Sequence, residues 1–567
     1  MKKIIGKEQV GGVEGRNVED HLILLEEIFI FINEGKYPHA NIITIDQEKA
    51  FDRIDQEFMF KILDKIGLGP KFIKWIKPLY TDIHSKINVN GKLTAKFKIT
   101  KSIRQGDPLS MLLFAICMEP LIHMFKYDEE ICGIKKPNGE TVRVIAYADD
   151  ITLTVSDNRS IDKIFKITAI YEKAMGAKIN HEKTEIITKD ENIKYLHPQH
   201  RKWVKKKTTI LGIQFSINDT ICIEMWENIM KKIDIEINGL NKKDITLKGR
   251  AIVANYILWS KLWYPLKIRS PPENILRKIE RKIYVYIWKG NREWLKRDSC
   301  RISIKLGGMG IKCPRTMRKM FIINQLLKII NDVQNISWSS YLIYWEGITM
   351  RRIQTNIDLM TYSNTHAEYI NNKRHTEIKN IILYIINKNN DWLTRTKNIS
   401  YDELSNSNNW EHKIVMNEPN KNWESTWEFL KLQTNTQNYN LNFKIVHNIL
   451  PTKAFLKNCK IVGNDSCVFC KNSSETAKHL FTTCPSLHQL RALIKVIVEN
   501  MINKRFEINE INVLRDGIMN MSKKDIKPIN KILNRYKLEL WKHRNDHIFD
   551  NAEINIDKIS NTIVNSL

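Results

Sequence analysis

Long apolar runs are missing from this 567-residue sequence, and glycine and proline are scarce at 22 and 15 residues. The longest wholly apolar stretch lies within residues 111–118, whereas a membrane-crossing helix needs roughly 18 residues. The first residues turn polar before an apolar signal region could form, so the sequence predicts neither a membrane span nor secretion. We therefore expect an intracellular protein, in the nucleus or the cytoplasm. Hydrophobic residues at 43% and charged residues at 27% exclude the disordered and collagen-like classes.

Acidic residues are outnumbered, with 63 Asp and Glu against 90 Lys and Arg, which leaves a formal charge of +27. Lysine-rich codon usage in an AT-rich genome is one explanation of this excess, and a polyanionic partner is the other. The distribution favours a partner, because residues 191–330 carry +19 and the other 427 positions carry only +8. A genome-wide bias would not concentrate the charge in that way.

The first 190 residues alternate between helix-like and strand-like patterns, which indicates an α+β fold. The Asn90-Gly91 pair, between two short apolar runs, predicts the turn of a β-hairpin. Pro108 is expected to open a long helix, because proline is tolerated at a first helical position. The patterns predict helices at residues 20–34, 56–66, 70–81, 108–125 and 161–175, and strands at residues 42–45, 142–147 and 151–155.

Two strand ends carry acidic residues. Asp149 and Asp150 lie between two β-branched runs, and Asp46 follows the strand at 42–45. Adjacent carboxylates repel each other, so such a tip indicates either a bound divalent cation or a solvated turn. For Asp46 the alternative to a metal ligand is the N-cap of a following helix. If the two strands are neighbours in one sheet, the three carboxylates converge, as two Mg²⁺ ions require for in-line nucleotidyl transfer.

A polar loop, residues 102–110, lies between these acidic positions. Gly106 removes a Cβ where a nucleotide could approach the backbone, and the helix that follows offers free N–H groups to an anion. The alternative is an ordinary loop before a helix.

The order of these segments resembles motifs A, B and C of reverse transcriptases: an aspartate on a strand, then RQGDPLS before a helix, then YADD on a hairpin. Residues 176–185 resemble motif D, residues 210–215 resemble the motif E grip, and residues 9–16 resemble the fingers segment that precedes motif A. The motif A form IDQEKAFDRID, with LKGR at 247–250 and GGMG at 307–310, resembles the non-LTR retrotransposon (LINE-type) branch.

This resemblance implies a right-hand polymerase palm, an antiparallel sheet with helices, at residues 41–215. It further implies partial fingers at 1–40, a basic helical thumb and following region at 216–340, a connector at 341–425, and a small helical C-terminal domain with a zinc-knuckle-like cluster at 426–567. The expected activity is RNA-directed DNA polymerisation, in which dNTPs extend a DNA primer on an RNA template.

The chain begins only about 45 residues before Asp46, so the resemblance implies an N-terminally truncated element that lacks part of the fingers. The alternative function is therefore a weak or inactive nucleic-acid-binding remnant of such an element. A group II intron-type enzyme is disfavoured by the downstream zinc pattern. A viral RNA polymerase is disfavoured because its motif usually places Gly before the paired aspartates. The resemblance leaves room for another retrotransposon-encoded protein as a partner.

The resemblance also assigns roles to single residues. Asp46, Asp149 and Asp150 match the carboxylates that bind two Mg²⁺ ions. Phe51 matches the aromatic gate that excludes a ribose 2′ hydroxyl, with a core aromatic as the alternative. Lys183 matches the motif D lysine proposed to protonate the leaving pyrophosphate, with a surface lysine as the alternative. The expected nucleotide and template pocket consists of Phe51, Arg104, Gln105, Gly106 and Tyr147. In the basic thumb, the expected phosphate contacts are Lys248, Arg250, Lys261 and Lys267.

Three of the nine cysteines and one histidine fall in one short window: Cys467, Cys470, His479 and Cys484. Thiolates with one imidazole at this spacing suit a closed tetrahedral site for one structural Zn²⁺ ion. Reduced thiols near an unrelated histidine are the alternative. The surrounding sequence, with WKHRN at 541–545, resembles the zinc-binding domain found downstream of many LINE-type reverse transcriptases.

Overall fold

The computed structural model describes residues 4–217, 222–332, 335–350, 373–387, 398–406 and 423–565. The chain forms two compact units, each discontinuous in sequence. The first comprises Met1–Ile229, Trp263–Ile275 and Arg318–Ser400, and the second comprises Met230–Leu262, Leu276–Met317 and Tyr401–Leu567. Most of the expected connector at 341–425 lies outside the described residues.

The described residues form twelve strands, all in the first unit: β1 (Asn41–Ile45), β2 (His84–Ser85), β3 (Asn88–Val89), β4 (Lys92–Leu93), β5 (Phe97–Lys98), β6 (Ile134–Lys135), β7 (Thr141–Val142), β8 (Val144–Tyr147), β9 (Asp150–Val155), β10 (Glu185–Thr188), β11 (Thr208–Ile210) and β12 (Ile213–Phe215).

An antiparallel four-stranded sheet organises the first unit, in the order β10–β1–β9–β8. The β-branched residues of β1 and β9 suit a pleated surface that is buried. These two strands pair so that Ile45, the last residue of β1, lies opposite Ile151 near the start of β9. Strands β8 and β9 form a hairpin that is closed by the pair Tyr147 and Asp150. The ends of β1 and of the hairpin therefore meet at one edge of the sheet.

The segment before the first helix extends this sheet along β8. The backbone N–H of Ala146 donates to the carbonyl of Glu8 at 2.8 Å, and the N–H of Val10 donates to the carbonyl of Ala146 at 3.1 Å. Residue 9 therefore lies beside the strand that leads into the acidic hairpin tip.

The helix Ser110–Tyr127 lies in the hydrophobic core that includes the sheet. Phe114, Cys117 and Phe125 on this helix are fully buried in that core. By length and composition alone this helix is apolar enough to cross a membrane. Its buried side chains show that its apolar character serves the hydrophobic core of the first unit, because a central core helix needs the same composition.

The α-helices of the described residues are Val18–Asn33, Ala50–Arg53, Gln56–Lys65, Pro70–Tyr80, Ser110–Tyr127, Arg159–Met175, Pro198–Arg201, Ile223–Asn241, Leu247–Val253, Ser260–Leu266, Glu273–Trp288, Arg297–Arg301, Pro314–Asn331, Ser339–Met350, Lys373–Asn387, Tyr401–Asn406, Trp423–Lys431, Thr436–Val446, Lys453–Asn458, His488–Ile502, Glu510–Leu514, Lys523–Asp550 and Ile556–Val564. Single π-helical turns occur at Ala254–Leu258 and His479–Thr483.

The predicted helices and the strands predicted at 42–45 and 151–155 are confirmed, with ends that differ by at most two residues. The strand predicted at 142–147 is divided at residue 143 into β7, which pairs with β6, and β8, which pairs with β9. The helix assigned to Pro108 begins at Ser110 instead. The reason is a turn in which Oδ1 of Asp107 accepts a hydrogen bond from the N–H of Leu109 at 2.9 Å. The Asn90-Gly91 turn is also confirmed, because both residues have positive φ, 49° and 83°, as a type I′ hairpin turn requires.

Buried ion pairs fix the helix Val18–Asn33 within the first unit. Glu27 is buried and accepts from Nε of Arg374 at 3.0 Å, and its other oxygen lies 3.0 Å from Nε2 of His375. Burial alone would raise the pKa of Glu27, but the facing His375 and Arg374 charges outweigh burial and lower it. Glu26, the neighbouring residue, forms a second buried ion pair, with the guanidinium of Arg269. The helix can therefore be buried on nearly all sides although it carries acidic residues.

The second unit explains the glycines of the 307–310 segment. Gly307 has a φ of 81°, and a Cβ at this position would lie 2.2 Å from the ring of Trp427. Its carbonyl accepts a hydrogen bond from Nε2 of His447 at 2.8 Å. A Cβ on Gly308 would lie 2.0 Å from the carbonyl oxygen of Ile302. Only glycine fits these positions, so the segment is a packing site for the helices that follow Trp423.

A fully buried lysine lies in the core of the second unit. Nζ of Lys537 donates to Oδ1 of Asn442 at 2.6 Å and to the carbonyl of Val513 at 2.9 Å. Burial lowers the pKa of Lys537 from 10.5 to about 7. The unfolded chain therefore binds more protons than the folded chain between these two values.

We expect the free energy of unfolding to rise by up to a few kcal/mol between pH 7 and pH 10, because the proton that Lys537 loses on folding is released at a lower cost as the pH rises. Lys537→Met should remove this rise, and urea denaturation at several pH values would measure it. Lys542→Met, which changes an exposed lysine on the same helix, is the control and should keep the parent's slope. Equal slopes in the parent and the Lys537→Met protein would contradict the prediction.

Candidate active site

Three aspartates meet at the open edge of the four-stranded sheet. Asp46 directly follows β1, Asp150 begins β9, and Asp149 lies in the turn between β8 and β9. Asp46 and Asp150 line one cleft of about 490 Å³ together with Lys183. The helix after β1 begins at Ala50, with Lys49 before it, so Asp46 is not its N-cap. The structure thus brings the predicted carboxylates together.

The charges of these carboxylates are unfavourable in the absence of a cation. Burial raises the pKa of Asp149, and the Asp46 charge raises it further. Burial likewise raises the pKa of Asp150, followed by the charges of Asp149 and Asp46, while Lys183 acts in the opposite direction. Carboxylate oxygens are the ligands that Mg²⁺ prefers. The donor set and the mutual repulsion both fit a site for divalent cations.

Lys183 lies beside this cluster. Its Nζ is 3.5 Å from Oδ2 of Asp46. The loop that carries it is tied to the same strand end, because the N–H of Asn180 donates to the carbonyl of Asp46 at 2.9 Å. Asn180 in turn accepts from the N–H of Lys183 at 3.3 Å. Although the side chain is exposed, the loop places it at the carboxylates, which suits the predicted role.

Gln9 holds the turn that carries Asp149. Its Oε1 accepts hydrogen bonds from the N–H groups of Ala148 and Gly11, both at 2.8 Å. Its Nε2 donates to the carbonyl of Ala148 at 3.0 Å. Gln9 is fully buried, and Ala148 has a φ of 54°, a left-handed conformation that costs energy for a non-glycine residue. The amide of Gln9 therefore stabilises an unfavourable turn beside the carboxylates.

The sequence contained one signal for this contact, the QVGG segment, but no pattern indicated its partner 139 residues away. Gly11 belongs to the same contact, because a Cβ there would lie 2.4 Å from the backbone nitrogen of Ala148.

The expected nucleotide pocket is only partly defined by contacts. The ring of Phe51 stacks on the core residue Phe114 with centroids 4.3 Å apart, so the core contact is present and the gating role stays a prediction. Gly106 has a φ of 91° and open space where a Cβ would lie. Arg104 and Gln105 are exposed on the same loop, and Tyr147 is exposed at the end of β8. These positions stay predictions.

A second turn, between β11 and β12, corresponds to the motif E segment. Leu211 and Gly212 both have positive φ, 50° and 81°. The hydroxyl of Tyr264 donates to the carbonyl of Leu211 at 2.7 Å. On the inner side, Phe29 stacks on Phe215 with centroids 5.1 Å apart. Tyr264 was not singled out from the sequence, since no local pattern links it to this turn.

Arg250 does not fit the predicted phosphate contact. Its side chain is 8% exposed, and it donates to the carbonyls of Ile287 at 2.6 Å and Ile245 at 2.5 Å. Its guanidinium satisfies backbone carbonyls inside the second unit, so the prediction for this residue is wrong.

The three other predicted phosphate contacts have partners within the chain. Nζ of Lys248 lies 4.5 Å from the centroid of the Tyr439 ring. Nζ of Lys261 lies 2.9 Å from a carboxylate oxygen of Glu236, and Lys267 forms an ion pair with Glu19. A lysine with an intramolecular partner gains less from a phosphate, because the existing contact must be exchanged. Their phosphate contacts stay predictions.

The cysteine and histidine cluster assembles in the second unit. One ligand atom from each of Cys467, Cys470, His479 and Cys484 lies within 4.8 Å of all the others. The Sγ atoms of Cys467 and Cys484 are 3.9 Å apart, and Sγ of Cys470 is 3.3 Å from Nε2 of His479. A tetrahedron with bonds of about 2.3 Å has edges of about 3.8 Å. The spacing and the soft donors therefore fit Zn²⁺.

A buried ion pair supports this cluster from the helix Lys523–Asp550. The fully buried Glu475 accepts from Nη2 of Arg544 at 2.6 Å, and also from the backbone N–H groups of Lys453 at 2.9 Å and Val468 at 3.3 Å. Arg544 belongs to the WKHRN segment. That segment therefore acts by fixing the loop between the second and third ligands, which its position in the sequence did not reveal.

An antiparallel sheet with three carboxylates at one edge, a core helix behind it and a lysine beside the cluster is the arrangement expected of a polymerase palm that binds two metal ions.

Two family models match separate parts of the chain, the sheet with its carboxylates and the cysteine and histidine cluster. Residues 1–200 match the family model for reverse transcriptase (RNA-dependent DNA polymerase), and residues 405–490 match the model for zinc-binding in reverse transcriptase. The chain is 26% identical over 346 residues to the transposon TX1 uncharacterized 149 kDa protein of Xenopus laevis, covering 60% of this chain and 26% of that protein. It is 24% identical over 322 residues to the Pol polyprotein of the type-2 retrotransposable element R2DM of Drosophila melanogaster, covering 53% and 29%.

Among solved structures, apo telomerase from Candida tropicalis matches with a TM-score of 0.30 and 12% identity, over 59% of this chain and 58% of that chain. The chain spans about a quarter of the length of the curated relatives named above. Residues 1–200 are a reverse transcriptase domain related to the polyproteins of non-LTR retrotransposons, and a zinc-binding domain follows it in the chain.

We expect Gln9→Ala to loosen the hairpin tip, because it removes three buried hydrogen bonds from a left-handed turn. Amide hydrogen exchange of peptides covering Ala148 should accelerate roughly tenfold, which corresponds to about 1.4 kcal/mol of lost protection. Gln199→Ala, at an exposed glutamine of the same unit, should leave that exchange unchanged. Parent-like protection in the Gln9→Ala protein would show that Gln9 does not stabilise this turn.

The zinc site predicts one Zn²⁺ per chain. Cys467→Ser should reduce the metal content of the purified protein to near zero and lower the thermal midpoint, because metal binding contributes directly to folding. Atomic absorption and calorimetry measure the two effects. Cys459→Ser, just outside the cluster, is the matched control. A full zinc content in the Cys467→Ser protein would show that the site lies elsewhere.

Proposed function

We propose that this chain is an RNA-directed DNA polymerase that extends the 3′ end of a DNA primer with dNTPs on an RNA template. The observation that carries the proposal is the convergence of Asp46, Asp149 and Asp150 at one edge of the sheet. Burial and mutual repulsion raise the pKa of Asp149 and of Asp150, so this edge favours bound cations. Two Mg²⁺ ions held there would activate the primer 3′ hydroxyl and stabilise the pyrophosphate leaving group.

The residues around the cluster have separate tasks in this proposal. The ring of Phe51, supported by Phe114, lies under the sugar of the incoming nucleotide and excludes a 2′ hydroxyl. Gly106 lets that nucleotide approach the backbone. Lys183, held 3.5 Å from Asp46, gives a proton to the leaving pyrophosphate oxygen. Gln9 is a positioning residue, because it acts on the hairpin tip and not on the substrate.

Primer extension on an RNA template tests the proposal. The parent chain should give a full-length DNA product, and Asp149→Asn should lower the rate by roughly three orders of magnitude, or about 4 kcal/mol of transition-state stabilisation. Asp64→Asn makes the same charge change at an exposed helix position and should not alter the rate. If the parent binds the template but gives no product, the chain is a binding remnant and the proposal fails.

A further inference from the structure

One stretch outside the thumb carries almost all of the remaining positive charge. Residues 70–101, the basic hairpin stretch, contain eight lysines and one acidic residue, a net +7. Outside this stretch and residues 191–330, the other 395 residues carry a net +1. The excess charge of the chain is therefore confined to two regions, and the proposed nucleotidyl transfer does not account for the second one.

The lysines of this stretch are nearly all unpaired. The single acidic residue, Asp82, lies 3.4 Å from Nζ of Lys98. Among the described residues no carboxylate lies within ion-pair distance of the other seven lysines, which are Lys71, Lys74, Lys77, Lys86, Lys92, Lys96 and Lys101. This distinguishes them from Lys261 and Lys267, whose charges are already neutralised within the chain. An unpaired cluster of one sign attracts a polyanion.

Large apolar side chains are exposed between these lysines. Trp75 is 74% exposed on the helix Pro70–Tyr80, and Phe97 is exposed on β5. Ile87, Val89 and Leu93 on the hairpin are exposed as well. Exposed aromatic rings interleaved with lysines are the combination that binds single-stranded nucleic acid, through stacked bases and contacted phosphates.

The hairpin projects from a fixed base. Strands β2 and β5 pair near the base and β3 and β4 pair near the tip, and the N–H of Ile99 donates to the carbonyl of Ile83 at 2.8 Å. A two-stranded ribbon with exposed faces is only marginally stable in water, so a binding role explains its composition better than a core role. The chain then runs to Ile103, whose N–H donates to the carbonyl of Phe51 at 2.9 Å. The stretch thus leads directly into the loop with Arg104 and Gln105.

We propose that the basic hairpin stretch binds single-stranded polynucleotide, and that under the proposed function this strand is the RNA template before it is copied. The lysines contact phosphates and Trp75 and Phe97 stack on bases. Sequence preference is low, because neither a lysine ammonium nor a ring face distinguishes one base from another.

The test uses the full chain and a labelled single-stranded 20-nucleotide RNA, with affinity measured by fluorescence anisotropy at several KCl concentrations. The triple variant Lys86→Gln, Lys92→Gln and Lys96→Gln should reduce the slope of log K against log salt by about 2. Trp75→Ala should weaken binding roughly tenfold with the parent's slope. The control is Lys523→Gln, Lys524→Gln and Lys527→Gln, the same charge change on an exposed helix face, and it should retain the parent's slope.

An unchanged slope in the hairpin triple variant would overturn the proposal. Two other results with the triple variant would also overturn it. In one, the variant loses affinity for an RNA–DNA duplex but not for single-stranded RNA. In the other, it keeps the parent's affinity for RNA but loses affinity for vesicles that contain phosphatidylserine. All variants should keep the parent's thermal midpoint, because every changed side chain is exposed. Primer extension with the same preparations separates the two proposals. If the parent is active and the triple variant keeps the parent's salt slope, only the hairpin site is refuted. If the parent is inactive and the triple variant has a reduced salt slope, only the polymerase function is refuted.

Discussion

Electrostatic repulsion among three carboxylates is the constraint that organises the first unit. Asp46, Asp149 and Asp150 lie at one sheet edge, and part of each is withdrawn from water, so the fold must hold them in place against their own charges. The pairing of β1 with β9 provides most of this restraint. A register slip of one residue would move the buried side chains of the strand to the opposite face of the sheet and displace the acidic strand end at the same time. The remaining restraint comes from side chains outside the sheet. Gln9 fixes the turn, and Asn180 ties the lysine loop to the end of β1.

Much of this arrangement could be predicted from the sequence because its determinants are local. Short β-branched runs, the Asn90-Gly91 pair and apolar helix periodicity each depend on neighbouring residues. The predicted helices are present within two residues of the expected ends, and of the listed strands only the one at 142–147 is interrupted. The order of the acidic strand end, the RQGDPLS loop and the YADD tip along the chain resembled a known family closely enough to indicate the palm. The cysteine and histidine cluster was equally accessible, because all four ligands lie within 18 residues.

The supporting contacts could not be predicted, because they join residues far apart in the chain. The bonds of Gln9 to Ala148 span 139 residues, and the pair of Glu475 and Arg544 spans 69. The hydroxyl of Tyr264 reaches Leu211 across 53 residues. In each case the sequence showed a polar residue without showing which backbone group it would satisfy. Arg250 illustrates the same limit in the opposite direction: a basic residue in a basic region was assigned to the surface, but two buried carbonyls required its guanidinium.

The charge of the chain shows why counting is a weak guide to nucleic-acid contacts. Residues 191–330 carry the larger excess, yet their basic residues include a buried arginine and lysines already paired with glutamates. The stretch at 70–101 carries less than half that excess, but seven of its eight lysines are exposed and have no carboxylate partner among the residues that the structure describes. Phosphate binding depends on the charge that remains unpaired and accessible, since a paired lysine must first give up its partner. Only the three-dimensional pairing of charges separates the two regions, and it favours residues 70–101 over residues 191–330 as the place where phosphates would be contacted.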